Sequence, residues 1–186
     1  LEGEPRDKAR AHHATTTANW HLSTSGRAYG FNGSQFIKAS SPAFRKEQDF
    51  TIELWFKTNG ASQTILSNGS EGSTFNENPL AWSIATNTNG NVQVTNNLEI
   101  LSSLETYTDN NWHYLALVKK NLSNTTLYID GVEQASKSST LFNGFNGSNL
   151  VLGAKPFANG PTSTSYSNYL NGGIDEVRIW NKARTL

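Results

Sequence analysis

Along 50–57 the side chains alternate in character: Phe50, Ile52, Leu54 and Phe56 are apolar, while Thr51, Glu53, Trp55 and Lys57 fall between them. A period of two suits a strand with one face on a core, because successive side chains point to opposite faces. A helix would need apolar positions roughly every three or four residues, and no window of this chain carries that period. Similar short runs recur from Ala28 onward, broken by turn residues about every 8–12 positions, the spacing of sandwiches and barrels. Leu127-Tyr128-Ile129 and Val132-Glu133-Gln134 flank Asp130-Gly131, a strong two-residue hairpin signal. The run 112–118 is apolar on both faces, as expected of a central strand. Near the end, Val177 and Ile179 are expected to face inward, with Asp175 on the same face and Glu176, Arg178 and Trp180 opposite. The expected fold is all-β, a two-sheet antiparallel sandwich of the jelly-roll kind.

A chain of 186 residues fits one such domain. At that size about 70% of the unfolded chain's surface is buried, so no covalent staple is needed. None is present, since the chain lacks cysteine; this excludes a disulfide scaffold, a thiolate metal site and a cysteine nucleophile. Fifteen Lys and Arg balance fifteen Asp and Glu, which leaves no global field to draw in a polyanion, so nucleic acid is not an expected partner. No apolar run approaches the roughly 20 residues of a membrane span, so membrane insertion is not expected. Residues 1–17 are dense in charge and then turn into His12-His13-Ala14-Thr15-Thr16-Thr17. They read as a linker or expression-derived tail, with 18–186 as the single domain. Because the chain begins at Leu1 and not at methionine, it is expected to be a segment of a larger exported protein, bacterial by its lack of cysteine. Its location is then extracellular or at the cell surface, beside other domains of a parent protein.

Ala28-Tyr29-Gly30-Phe31-Asn32-Gly33, followed by Phe50-Thr51-Ile52-Glu53-Leu54-Trp55-Phe56, resembles the opening of laminin-G-like domains of the concanavalin A-like lectin/glucanase superfamily. Asn111-Trp112-His113-Tyr114-Leu115-Ala116-Leu117 and then Leu127-Tyr128-Ile129-Asp130-Gly131 are similar to that family's central motifs. Gly173-Ile174-Asp175-Glu176-Val177-Arg178-Ile179-Trp180-Asn181 looks like its C-terminal strand. The resemblance runs from about residue 28 to 185. It implies two stacked antiparallel sheets, often a bound calcium ion, and a non-catalytic place in secreted or surface proteins. Pentraxins, more distant relatives, hold calcium on two loops that correspond in position to 67–79 and 153–169. The first retains oxygen donors; the second carries Gly153-Ala154-Lys155-Pro156-Phe157, whose lysine does not suit a cation that takes 6–8 oxygen ligands.

Three connections are long and rich in glycine or asparagine: 67–79, 137–149 and 153–169. Loops of that length in a compact domain are usually functional or disordered. The candidate ligand-binding residues are therefore Glu71, Asn76, Glu77 and Asn78 on the first, with Phe157, Asn159, Tyr166 and Tyr169 on the third, where aromatic faces and amides mix as in carbohydrate sites. An inward Asp175 must be paired, hydrogen-bonded or metal-bound. Its two readings are a structural calcium ligand, joined by Asn32, and a carboxylate accepting N–H bonds from a nearby turn. Trp55, Tyr128 and Trp180 fall outward by parity, where sugar rings stack or other side chains cover them, and Trp112 and Trp82 read as core.

A retaining glycosidase needs two carboxyl groups about 5–5.5 Å apart. Asp175 and Glu176 are adjacent and so alternate in face, Glu53 stands alone, and no Glu-x-Asp-x-x-Glu pattern occurs. His113 has no nearby serine or carboxylate in a triad-like setting, and its place in the Trp-His motif suggests structure. The expected function is a non-catalytic module that binds a glycan or cell-surface polysaccharide, with a structural calcium. The alternatives are a protein partner, a spacer role and, less favoured, a glycoside hydrolase.

Overall fold

The alternation at 50–57 forms the strand it predicts, with Phe50, Ile52, Leu54 and Phe56 fully buried in the core. In the computed structural model, which describes residues 14–16, 19–23, 26–40, 48–69, 80–96, 99–120, 123–138, 149–158 and 164–185, every regular element is a strand. In chain order these are β1 (Ala14–Thr16), β2 (Asn19–Ser23), β3 (Gly26–Asn32), β4 (Ile37–Ser40), β5 (Phe50–Thr58), β6 (Thr64–Gly69), β7 (Leu80–Thr86) and β8 (Asn91–Asn96). They continue with β9 (Glu99–Thr106), β10 (His113–Lys119), β11 (Asn124–Ile129), β12 (Val132–Ser138), β13 (Asn149–Leu152), β14 (Lys155–Ala158), β15 (Thr164–Ser167) and β16 (Asn171–Trp180).

Two seven-stranded antiparallel sheets make the sandwich. One runs β1-β4-β13-β6-β7-β8-β9 and the other β12-β11-β10-β5-β16-β3-β2, with β14-β15 as a separate hairpin. The core draws on both sheets: Phe50, Phe56 and Leu115 from one meet Ile65, Trp82 and Ile84 from the other. Trp82 is 1% exposed, so its core placement holds. The Asp130-Gly131 turn joins β11 to β12 with φ of 53° and 80° at its two residues, the left-handed pair a two-residue hairpin needs. Strand β1 pairs with β4, so 14–16, inside the segment read as a tail, belong to the first sheet; 1–13 lie outside the described residues.

Strand β16 departs from simple alternation. Ile174 pairs with Phe56 and Asp175 with Trp55, but Arg178 is next to pair, with Glu53, so the register shifts between them. Glu176 takes φ 51° in this bulge, and an extra residue on one strand reverses the parity that follows it. Val177 and Ile179 pack against the core as expected. Asp175 instead shares the outer face of the sheet with its partner Trp55, and the inward position expected for it is corrected. Beyond β16 the chain folds back over that outer face. Thr51 Oγ1 donates to the Lys182 carbonyl at 2.9 Å and accepts from the Arg184 N–H at 3.0 Å.

Candidate functional site: a trough on the outer sheet face

Where β3, β5 and β16 run side by side, their outward positions include glycines, and a cavity of about 400 Å³ opens over them. Gly173 pairs with both Gly30 and Lys57. A Cβ on Gly173 would stand 2.7 Å from Trp112 Cη2, and one on Gly172 would stand 2.0 Å from the Lys57 carbonyl oxygen. The glycine pair therefore lets the Trp112 ring reach across to β16 and lets β16 close on β5. Trp112 is half-buried and lines the trough, which corrects its assignment to the core: it precedes β10 and turns to the outer side. The Lys57 ammonium lies 5.5 Å from the centre of the Trp112 ring, a cation–π distance.

Amides form the rim: Asn32, Gln35, Asn59, Asn110 and Asn171. Asn32 Oδ1 accepts from the Ser34 N–H at 3.2 Å and the Ser34 hydroxyl at 2.8 Å. The carboxamides of Asn59, Asn110 and Asn171 make no hydrogen bond among the described residues. A flat aromatic ring beside several uncommitted amides can receive a ligand: such a ring packs on an apolar face, and such amides pair with hydroxyl groups.

The loop carrying Asn110 and Trp112 is braced from behind. His113 Nδ1 lies 2.7 Å from Asp130 Oδ2 and Nε2 lies 3.1 Å from Asp109 Oδ1. Asp109 also accepts from the Asn111 N–H at 2.9 Å and the Asn111 carboxamide at 2.7 Å. Those Asn111 and His113 bonds hold the Asp109 carboxyl down at about 2. Burial pushes the His113 imidazole down, but the two aspartates outweigh it and raise it above its ordinary value. His113 thus sits between two carboxylates, Asp109 four positions before it in the chain and Asp130 brought to it from the β11–β12 turn.

The bulge places Asp175 and Glu53 on one face, a proximity that alternation had excluded. Glu53, 2% exposed, is committed to the fold: Arg184 Nη1 donates to its two oxygens at 2.7 and 2.8 Å, and Trp180 Nε1 donates at 3.0 Å. Asp175, 4% exposed, accepts from the Glu176 N–H at 2.8 Å. Asn32 pairs with Asn171, at the other end of the shared stretch of β16. Four residues of strand, about 13 Å, separate it from Asp175, so one cation does not bridge the pair proposed as a calcium site. Among the described residues no three acidic or histidine side chains converge to hold a metal.

Of the expected ligand residues, Glu71, Asn76, Glu77, Asn78 and Asn159 lie outside the described residues. The segment 153–169 is no open loop, since it contains the β14–β15 hairpin. Pro156 pairs with Tyr166 and Phe157 with Ser165, so Phe157 and Tyr166 point to opposite faces. Tyr166 stacks on Phe36 with ring centres 4.1 Å apart, Phe157 is exposed and Tyr169 is half-buried. Phe36 follows Gln35 of the rim, so the hairpin abuts the trough without supplying its lining. Among the outward aromatics, Trp55 is 37% exposed and leans on Tyr114 with centroids 5.4 Å apart. Trp180 is covered by the Arg184 guanidinium at 4.6 Å.

The sandwich and its motifs match the Laminin_G_3 family model, described as concanavalin A-like lectin/glucanases superfamily, over residues 31–186, and the chain belongs to that family. Within it, 109 residues are 31% identical to a non-toxic nonhemagglutinin of Paraclostridium bifermentans, covering 54% of this chain and 9% of that protein. The fold is similar to the binding domain of Paraclostridial Mosquitocidal Protein 1, with a TM-score of 0.68 at 17% identity over 97% of this chain and 47% of that one. It is also similar to domain 4 of AbnA, a GH43 extracellular arabinanase from Geobacillus stearothermophilus, solved in complex with arabinotriose. That match has a TM-score of 0.65 at 19% identity, over 98% of this chain and 89% of that one. The chain thus spans under half of the toxin domain and a small part of the curated relative.

Proposed function

We propose that this domain is a non-catalytic module of a larger secreted or surface protein and that it binds a glycan in the trough. The observation that carries the reading is Trp112 laid over Gly173 beside uncommitted asparagine amides. Support comes from the arabinanase domain of the same fold, which was solved in complex with arabinotriose, and from the similar domain of Paraclostridial Mosquitocidal Protein 1, which is a binding domain by name. Glu53 is held by Arg184 and Trp180 and so is not free to serve in the carboxylate pair a hydrolase uses.

The test is a glycan array with wild-type protein and Trp112→Ala, run with calcium and again with chelator. Binding by the wild type that Trp112→Ala abolishes is the expected result. Retention of binding by Trp112→Ala moves the site elsewhere, and chelator-sensitive binding restores calcium to the mechanism. Silence of the wild type across the array turns the reading toward a protein partner.

A further inference from the structure

The trough has a charge of one sign. Among the described residues its lining contains one cation, Lys57, and no acidic residue. Lys57 makes no ion pair with any described residue, and its ammonium lies over the Trp112 ring. The charged groups on the same sheet face are committed elsewhere: Glu53 is bound by Arg184, and Arg178 contacts Glu176. Asp175 lies beside Trp55, one pair further along β16 than Gly173 and Lys57 when counted on the outward positions, and is buried. The chain has equal numbers of acidic and basic residues, so any preference for charge arises locally and not from the field of the whole molecule.

We propose that the trough selects an anionic sugar, carboxylated or sulfated, whose charged group meets the Lys57 ammonium while its ring packs on Trp112. This rests on the glycan reading above and adds the substrate class to it. The ring holds the flexible lysine stem at the trough, which reduces the side-chain entropy lost when the anion arrives. The amide NH₂ groups of Asn32 and its neighbours are further donors to the anion's oxygens, and no acceptor-only group opposes them. A lysine is a point charge that serves either anion, without the planar fork by which arginine prefers one geometry.

The experiment compares tri-galacturonate with its methyl ester, and a sulfated galactan oligosaccharide with its desulfated form, by calorimetric titration of wild type, Lys57→Gln and Lys57→Arg. Either acidic probe is expected to bind the wild type about tenfold more tightly than its neutral twin, and the better of the two names the anion. A charge-assisted contact of about 1.4 kcal/mol corresponds to that ratio. Lys57→Gln should lose the preference for the acidic member of each pair, whereas Lys57→Arg should retain most of it. Equal binding of both members of each pair overturns the anionic proposal and leaves the glycan site standing. Loss of Trp112→Ala binding to neutral and acidic probes alike reports on the site itself, so the two failures are distinguishable. If the preference survives in a Lys57→Gln protein with wild-type melting, the charge resides elsewhere and the proposal falls.

Discussion

One methyl group added at Gly172 or at Gly173 should have quite different consequences, although the two are neighbours. A Cβ at Gly172 would lie 2.0 Å from the Lys57 carbonyl oxygen and 3.0 Å from its carbon, both backbone atoms of the adjoining strand. Carbon–oxygen contacts in sheets sit at about 3.3–3.6 Å, so β5 and β16 would have to part by more than about 1 Å. They would do so where Gly172 to Asp175 pair with 55–58. Overpacking costs about 1–3 kcal/mol and sometimes more; with backbone as the obstacle the upper end applies, about 3 kcal/mol. For a domain of this size that lowers Tm by about 6–12 °C. At Gly173 the obstacle is the edge of Trp112, with Cη2 at 2.7 Å and Cζ2 at 3.2 Å, a half-buried side chain able to swing outward. The cost of about 1 kcal/mol is largely offset by the roughly 0.4–1 kcal/mol gained when alanine restricts the unfolded chain. Melting followed by circular dichroism should therefore show Gly172→Ala far below wild type and Gly173→Ala within about 2 °C of it. Tryptophan emission, read against a Trp112→Phe control, should shift red in Gly173→Ala, and glycan binding should fall with it. Equal losses of Tm in the two variants would refute the claim that the glycines serve different neighbours. So would a Gly173→Ala protein with wild-type emission and binding.

The Glu53 site makes a second prediction: Arg184→Ala leaves a carboxylate that is 2% exposed without its cation, while the guanidinium it removes is 39% exposed. Breaking a buried pair costs about 3–5 kcal/mol, and the partial exposure of Arg184 brings the expectation down to about 2 kcal/mol in urea denaturation; a loss below about 0.5 kcal/mol would contradict it. A third concerns pH. Because His113 is raised in the folded protein, its contribution is fully present below about pH 6.5 and fades as pH climbs through the raised value. The depressed Asp109 contributes above its ordinary value of 3.8 and loses that contribution as pH falls toward about 2. The Tm advantage of wild type over His113→Gln should therefore be greatest at about pH 4–6.5 and shrink on the alkaline side. A difference that stays constant up to about pH 9 would remove the imidazolium from the brace.

The fold was legible because a half-buried strand writes its two faces into every second residue. Phe50 to Phe56 and the Asp130-Gly131 turn carry local signals that need no knowledge of their partners. The three long connections stand out in the sequence by length and composition, yet one of them encloses the β14–β15 hairpin and Tyr166 is spent on Phe36. Trp112 was misread because a tryptophan beside an apolar strand looks like core. Its true place follows from Gly173, 61 positions further along the chain, whose missing side chain makes room for the ring.

Strand β16 shows why the site resists a reading by alternation. Two outward positions before the bulge, Gly173 and Asp175, are set by pairing with Lys57 and Trp55, and the two after it, Arg178 and Trp180, by pairing with Glu53 and Thr51. Counting by twos assigns Gly173 and Asp175 to the face of Ile179, because the one-residue shift at Glu176 leaves no mark in hydrophobic pattern. Once the shift is made, Gly173 joins Gly30 and Lys57 on the outer face and the floor of the trough appears. The same shift sets Arg178 and Trp180 on Glu53's face, where Trp180 and the returning Arg184 close over it. A single bulge thus divides one sheet face in two: a part sealed by its own chain, and a part left open, with glycine where other strands carry side chains. The proposed binding falls in the open part, where glycines at outward positions of β3 and β16 leave room for a ligand.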